Sequence, residues 1–476
     1  MTYDAIIVGS GPNGLAAAIT LARQGWRVLL LEAKETIGGG MRTAELTLPG
    51  FRHDICSAIH PLGLGSPFFQ SLPLTDYGLE WIQPDLPLAH PFDDGTAVAV
   101  HQSLEDTAVQ FGIDAPAYRR LFAPLVANWE KIAREFLGPL RPPRHPLAMA
   151  KFGLRALWPT TALTRALFRQ EPARALFAGL AAHSIMPLEW PLTAAFGLML
   201  GTLAHRVGWP LPQGGSQAIA NALAAFLTDL GGEIITNHEV KSLAELPPAR
   251  AVLLDVTPRQ LLAIAGGDLP PGYRHQLENY QYGPGVFKLD WALSEPIPWR
   301  AEACRRAGTV HLGPTLAEMA LSERAIWQGR VAERPYIIVT QQSLFDDSRA
   351  PAGQQTGWAY CHVPHGSTQD MTGVIEDQIE HFAPGFRDTI LARHAMNTQD
   401  FQRYNPNYIG GDINGGVQNW RQLFTRPVVR LNPYTTPLPN LFLCSSATPP
   451  GGGVHGMCGY FAAQTALRLE LNTTSR

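Results

Sequence analysis

Six residues near the start of the chain have the types and spacing to hold a nucleotide: Gly9-Ser10-Gly11-Pro12-Asn13-Gly14. In a G-x-G-x-x-G run the first glycine permits a tight turn, the second lets backbone approach a pyrophosphate, and the third lets a helix pack on its strand. Phosphate charge then rests on the helix N-terminus. Glu32 stands eighteen residues past Gly14, close to the spacing of roughly 20 at which an acid meets an adenosine ribose. A carboxylate there disfavours a 2′-phosphate, which leaves FAD or NAD.

The flanking residues predict the elements that such a site needs. Ala5-Ile6-Ile7-Val8 is a short apolar run expected to form a buried parallel strand. Residues 13–24 are rich in Ala and Leu and end at Gly25, which predicts a helix; residues 27–31 then read as a second strand that delivers Glu32. Strand, turn, helix, strand and acid occur in order.

Two further glycine segments favour FAD over NAD. Ala33-Lys34-Glu35-Thr36-Ile37-Gly38-Gly39-Gly40-Met41-Arg42 follows the acid directly, and such a turn can bring backbone N–H groups and a guanidinium to the diphosphate of an extended cofactor. Near the other end, residues 440–444 read as a strand, followed by Ser445-Ser446-Ala447-Thr448-Pro449-Pro450-Gly451-Gly452-Gly453-Val454-His455-Gly456-Met457 and a helix to about Leu471. With 20 residues after Gly456, no second βαβ unit is expected there. The expectation is instead a helix N-terminus whose amides face the edge of a flavin ring, where negative charge accumulates on reduction.

These segments together resemble the phytoene desaturase-related flavoproteins, which include carotenoid desaturases, ketolases and isomerases, and more distantly the amine oxidases. The likeness spans almost the whole chain and includes Trp209-Pro210-Leu211-Pro212-Gln213-Gly214-Gly215-Ser216, similar to the family's glycine turn before a helix. It implies an α/β fold: a Rossmann-type FAD-binding domain of the glutathione-reductase/amine-oxidase kind, with an inserted α+β substrate domain. The FAD domain would comprise 1–70, 205–265 and 425–476, and the substrate domain 71–204 and 266–424. A strand pair ending near Val240 would place backbone against adenine. Gly39-Gly40-Met41-Arg42 replaces the family's usual G-G-R, which leaves open whether Arg42 reaches the cofactor. The implied cofactor contacts are Gly9, Gly11, Pro12, Asn13, Gly14, Glu32, Ala33, Gly39, Gly40, Met41, Arg42, His60, Val240, Ser446, His455, Gly456 and Met457.

In flavin enzymes the ring itself accepts the hydride or electrons, so catalytic side chains can be few. The candidates are His60, beside the first cofactor segment; Lys288, by likeness to the lysine that holds a water near flavin N5 in some amine oxidases; and Tyr360 and His362, which a period-2 strand places on one face with Trp358. Each also reads as an ordinary loop, strand or wall residue. At His455 the backbone is a better candidate than the imidazole. The reading is oxidation, desaturation or isomerisation of an apolar, isoprenoid or carotenoid-like substrate, with oxygen or a quinone as electron acceptor. An amine oxidase, an NAD-dependent dehydrogenase and a non-catalytic flavin-binding assembly protein are the alternatives.

Composition narrows the rest. The chain has 476 residues, 45% hydrophobic and 16% charged, the balance of a globular protein with two compact units. Its formal charge of −3 offers no electrostatic footprint for nucleic acid. The five cysteines are scattered, with no C-x-x-C pair, so neither disulfides nor a metal site is expected, and a reducing cytoplasm fits best. The N-terminus reads as structure rather than a signal peptide. Residues 190–204 form the longest charge-free stretch in the middle of the chain, 15 residues with Pro191 inside, short of the roughly 20 needed to span a bilayer. Lys151, Arg155, Arg165, Arg169 and Arg174 lie among Phe, Leu and Trp residues over 147–176, a pattern of ordinary lid helices or of helices at a lipid interface.

Overall fold

A computed structural model describes residues 3–474. Among them the glycine run follows the central strand of a five-stranded sheet, ordered Leu441–Leu443, Ala251–Leu254, Ala5–Val8, Val28–Leu31, Glu233–Ile235. All four pairings are parallel. Ala5–Val8 and Val28–Leu31 are buried throughout, as continuous apolar runs between two helical layers must be. Helix Pro12–Ala22 makes the first crossover, with Pro12 at its first position, where the missing N–H costs nothing. Only Glu233–Ile235 forms a strand in the stretch expected to hold a strand pair. Asn237 turns the chain with φ of 55°, and Val240 lies in the loop beyond it.

Helix Met457–Thr474 lies against helix Pro12–Ala22. At their crossing a Cβ on Gly459 would overlap the carbonyl oxygen of Asn13. The two ends of the sequence therefore touch backbone to backbone, and that contact sets where the chain preceding Met457 must run.

A second, seven-stranded sheet runs Ile390–Met396, Gly285–Leu293, Gln355–Val363, Ile337–Thr340, Ala307–Leu312, Leu86–Pro91, Ala97–Val100. Its pairings are antiparallel except for Leu86–Pro91 against Ala307–Leu312. The two faces differ sharply. One carries the cross-strand row Leu289, Ala359, Val339, Val310, Ala89, buried in a core shared with Ile375, Ile379 and Phe382 of helix Thr372–Phe382. One residue on along each strand, the opposite face carries Lys288, Tyr360, Ile338 and His311, with His90 next in line. Alternation of side chains in a strand makes one row dry and the other polar.

The segment 147–176 is divided among helices Pro146–Ala156, Thr160–Leu167 and Glu171–Ala182. Pro159 stands immediately before the second of them. Helix Glu171–Ala182 packs on helix Thr193–Arg206, where Gly197 and Gly201 leave room for Phe177 and Phe122. No helix of the described residues is long and apolar enough to cross a membrane.

Replacing Gly459 by Ala should lower stability by at least about 2 kcal/mol, because the added methyl forces backbone apart in a packed crossing. Thermal denaturation followed by circular dichroism checks this, with Gly272→Ala, where a Cβ meets open space, as the comparison expected to stay near the parent.

Candidate functional site

The glycine run folds tightly around one carboxylate that the sequence analysis did not single out. Gly9 has φ of 99°, and a Cβ on Gly11 would stand 2.7 Å from Asp255 Oδ2. Asp255 follows strand Ala251–Leu254 at the same carboxyl end of the parallel strands, and its Oδ2 accepts the Gly14 N–H at 2.9 Å. Burial pushes the Asp255 carboxyl up to about 7; the charge of Glu32 raises it too, and the Gly14 hydrogen bond opposes the rise. Its position could have been found from sequence: like Glu32 it is an acid directly after a buried apolar strand.

Glu32 is 6% exposed and fully engaged. Oε2 accepts from the Ser10 amide at 3.0 Å and from the Ser10 hydroxyl; Oε1 accepts from the Lys34 amide at 2.9 Å and from Arg42 at 3.1 Å. The unusual Met41 is what brings Arg42 to this place. Gly39–Met41 forms a 3-10 turn, Met41 is buried in the core, and Arg42 emerges beside Glu32 with Nε donating to the Thr36 carbonyl at 2.8 Å. Its guanidinium stands over the Tyr404 ring, 5.4 Å from the centroid. A Cβ on Gly39 would stand 3.0 Å from Gly11 Cα, so the two glycine turns touch.

A cavity of about 390 Å³ runs from this corner to the polar face of the seven-stranded sheet. Its wall at this corner includes Gly9, Gly11, Pro12, Asn13, Glu32 and Ala33, with Gly39, Gly40, Arg42, Val240 and Ser446. Asn13 Oδ1 is buried there without a partner. Of the other residues named from sequence, Gly14 and Met41 are packed beneath the wall rather than on it. The same holds for His455, Gly456 and Met457. The first N–H of the carboxy-terminal helix, at Met457, donates to His455 Nδ1 at 3.0 Å. Consequently the wall is formed by Gly452, Gly453 and Val454 of the preceding turn, not by amides of the helix itself.

The opposite wall is mixed. Leu200, Trp209, Ile338 and Trp358 supply apolar surface, and His183, Thr340 and Tyr360 supply polar groups. Trp358 is held by its indole N–H, which donates to the Asp54 carbonyl at 2.9 Å. Asp54 is in turn fixed by Arg349 at 2.6 Å, both side chains fully buried. His60 lies on the wall between the two halves. The Ser216 hydroxyl gives its proton to the Ser57 carbonyl at 2.6 Å, so His60 Nε2, 2.8 Å from Ser216 Oγ, must donate. That leaves His60 Nδ1 as a bare acceptor, and burial lowers the ring's pKa to about 4, keeping it neutral.

Two catalytic candidates are not on the wall. Lys288 is buried with its ammonium on Asp290 and 5.5 Å from the Trp358 ring centroid. The charged residue at that position needed a buried partner, and Asp290 two residues on the same strand face supplies it. His362 is also enclosed, its Nδ1 2.8 and 2.9 Å from the two oxygens of Glu323. Tyr360 alone of the strand candidates faces the cavity.

Comparison with known proteins agrees with this geometry. Residues 7–70 match the NAD(P)-binding Rossmann-like domain family. Over 98% of its length the chain is 26% identical to pyridine nucleotide-disulfide oxidoreductase domain-containing protein 2 of Rattus norvegicus, covering 93% of that protein. It is 24% identical to a lycopene-forming phytoene desaturase of Pseudescherichia vulneris, over 98% of this chain and 99% of that one. The chain is a phytoene desaturase-like oxidoreductase. The fold of the oxidoreductase is also that of a putrescine oxidase solved with putrescine bound, at 18% identity and TM-score 0.61, with 100% of both chains covered. These likenesses establish a flavin- or nucleotide-binding oxidoreductase and leave its substrate open.

The raised Asp255 pKa has a definite sign for stability. An acid whose folded pKa exceeds its unfolded value binds a proton more tightly when folded, so its contribution is complete below pH 4 and is lost as pH rises through about 7. Asp255→Asn should therefore remove a fall in stability on the order of 4 kcal/mol between pH 4 and pH 8 in the nucleotide-free oxidoreductase. Urea unfolding at several pH values measures it; an unchanged slope would remove Asp255 as the cause.

Proposed function

We propose that the protein is an FAD-dependent oxidoreductase that removes hydrogen from a largely apolar substrate of isoprenoid or carotenoid kind. The observation that carries this reading is the continuity of the cavity: the same space touches Gly11, Glu32 and Arg42 at one end and Trp209, Leu200 and Trp358 at the other. The residues present fit a dinucleotide. Glu32 would take ribose hydroxyls in exchange for some of its four present donors, the glycine turns and Arg42 suit a diphosphate, and the loop at Val240 suits an adenine. Ser446 and the 452–454 turn would border the flavin ring. Bound there, the flavin would supply a two-electron acceptor beside the substrate.

The chain's own work is then to orient and to exclude water. Trp358, tied to Asp54, presents a fixed aromatic surface, and neutral His60 borders the apolar space without bringing a charge into it. The phytoene desaturase relative supports an isoprenoid substrate. Oxygen or a quinone would carry the electrons onward. In this reading the purified protein shows flavin bands near roughly 370 and 450 nm, releases FAD on denaturation, and bleaches anaerobically with isoprenoid donors. Bleaching by amines alone would support the amine oxidase alternative, and a protein that neither carries nor takes up FAD would sink the proposal.

A lipid surface is the second partner we propose. On and just after helix Pro146–Ala156, Leu147 is 81% exposed and Leu154 69%, with Leu157 and Trp158 also exposed beside Arg144 and Lys151. Apolar side chains interleaved with basic ones suit an anionic membrane interface. Co-sedimentation with phosphatidylserine-containing vesicles at low salt should capture the protein, and Leu147→Glu with Leu154→Glu should abolish the capture.

A further inference from the structure

The polar end of the cavity is built from groups that the proposed chemistry leaves unused. His183 follows helix Glu171–Ala182 as its C-cap, is half-buried, and lines the cavity. Its Nε2 lies 3.1 Å from His311 Nε2 on the facing strand, and Gly179, one turn earlier, gives that ring its room: a Cβ there would stand 2.7 Å from His311 Nδ1. Burial holds both rings neutral, His183 down to about 3 and His311 well below its ordinary value. One ring donates in the pair and the other accepts, so in either arrangement the second His183 nitrogen, as acceptor or as donor, remains for the cavity.

Two hydroxyl-bearing residues line the same cavity. Tyr360 occupies the sheet position next to Ile338, is half-buried, and lines the cavity with no hydrogen bond among the described residues. Thr340, 2% exposed, also lines the cavity, and its Oγ1 has no partner. Buried polar groups left unpaired are costly. Thr340 Oγ1 is such a group, and with the Tyr360 hydroxyl and the second His183 nitrogen on a cavity also lined by Leu200, Ile338 and Trp358 it marks where a ligand's polar atom would sit.

We propose that this wall recognises a neutral hydroxyl or carbonyl group on an otherwise apolar substrate, through His183 and Tyr360. An alcohol oxygen both donates and accepts, which suits a neutral imidazole nitrogen and a phenol. An ammonium does not suit it. The carboxylates on the described wall are Glu32, Glu239 and Asp255, all in the nucleotide half, and the nearby Glu323 is turned onto His362. A cationic head would find no counter-charge there. The inference deepens the proposed function, resting on the reading that this end of the cavity receives the substrate.

Octan-1-ol, octan-2-one, n-octane and octylammonium, titrated into the protein as purified and followed by tryptophan fluorescence of Trp209 and Trp358, test it without turnover. Tyr360→Phe removes one oxygen atom and should weaken octan-1-ol and octan-2-one about tenfold while n-octane stays within about twofold. His183→Phe should do the same and His183→Gln should restore most of the loss. Octylammonium should bind the parent more weakly than octan-1-ol. Equal weakening of all four probes, or none, would make these groups core packing and overturn the inference; so would ammonium binding that depends on Tyr360. A flavin-loaded protein indifferent to both substitutions sinks this site alone, whereas octanol binding through Tyr360 in a protein that takes up no FAD sinks only the cofactor reading.

Discussion

The contact on which the site depends is backbone against backbone, made where side chains are missing. Gly39 rests on Gly11, Gly14 on the carbonyl of Gly9, and Gly459 on the carbonyl of Asn13. Each is a place where a Cβ would hold two segments apart. With the segments in contact, residues from near 10, near 40, near 255 and near 450 line one corner of one cavity, and a cofactor could be gripped by main chain at both of its ends. Without them the first helix and the last could not cross as they do, and the 452–454 turn would not border the cavity.

Charge is managed around that corner by enclosure in pairs. Glu32 is answered by Arg42 and three further donors, Asp54 by Arg349 and Lys288 by Asp290. Isolated buried charge is expensive, and paired charge with its remaining lone pairs satisfied is tolerable. The pair at Asp54 has a structural output, because the carbonyl of the same residue holds the Trp358 indole at the cavity wall. Asp255 is the exception. It sits with a single amide donor beside a second acid, and its carboxyl rises accordingly.

The polar face of the seven-stranded sheet carries the other half of the site. Its His90 and His311 are neutral through burial and its lysine is locked to a neighbour, so the surface offered to a ligand is one of hydrogen-bonding groups set among Trp, Leu and Ile side chains. In the proposed function such a wall takes an amphiphilic molecule. The dry face behind it, packed against helix Thr372–Phe382, keeps the strands in register and so keeps Tyr360 and Trp358 where they are.

The strand, glycine turn and acid of the glycine-rich corner were legible in the sequence because their determinants are local: a tight turn needs glycine at fixed offsets, and a buried parallel strand needs a continuous apolar run. Gly9, Gly11 and Glu32 could be named from spacing alone, and the period-2 pattern of 357–363 put Trp358, Tyr360 and His362 on one face. What the pattern could not say is which members of that face reach open space. Tyr360 does, His362 is closed off by Glu323, and Lys288 is drawn inward by Asp290. The pairings of Asp255 with Gly14, Asp54 with Arg349 and His183 with His311 were equally out of reach. Their partners lie 241, 295 and 128 residues away in sequence, and only the packing of helices on sheets brings such groups within hydrogen-bonding distance. Local residue preferences determine turns, strands and the faces they present; the burial, charge state and availability of each side chain depend on neighbours that tertiary structure alone supplies.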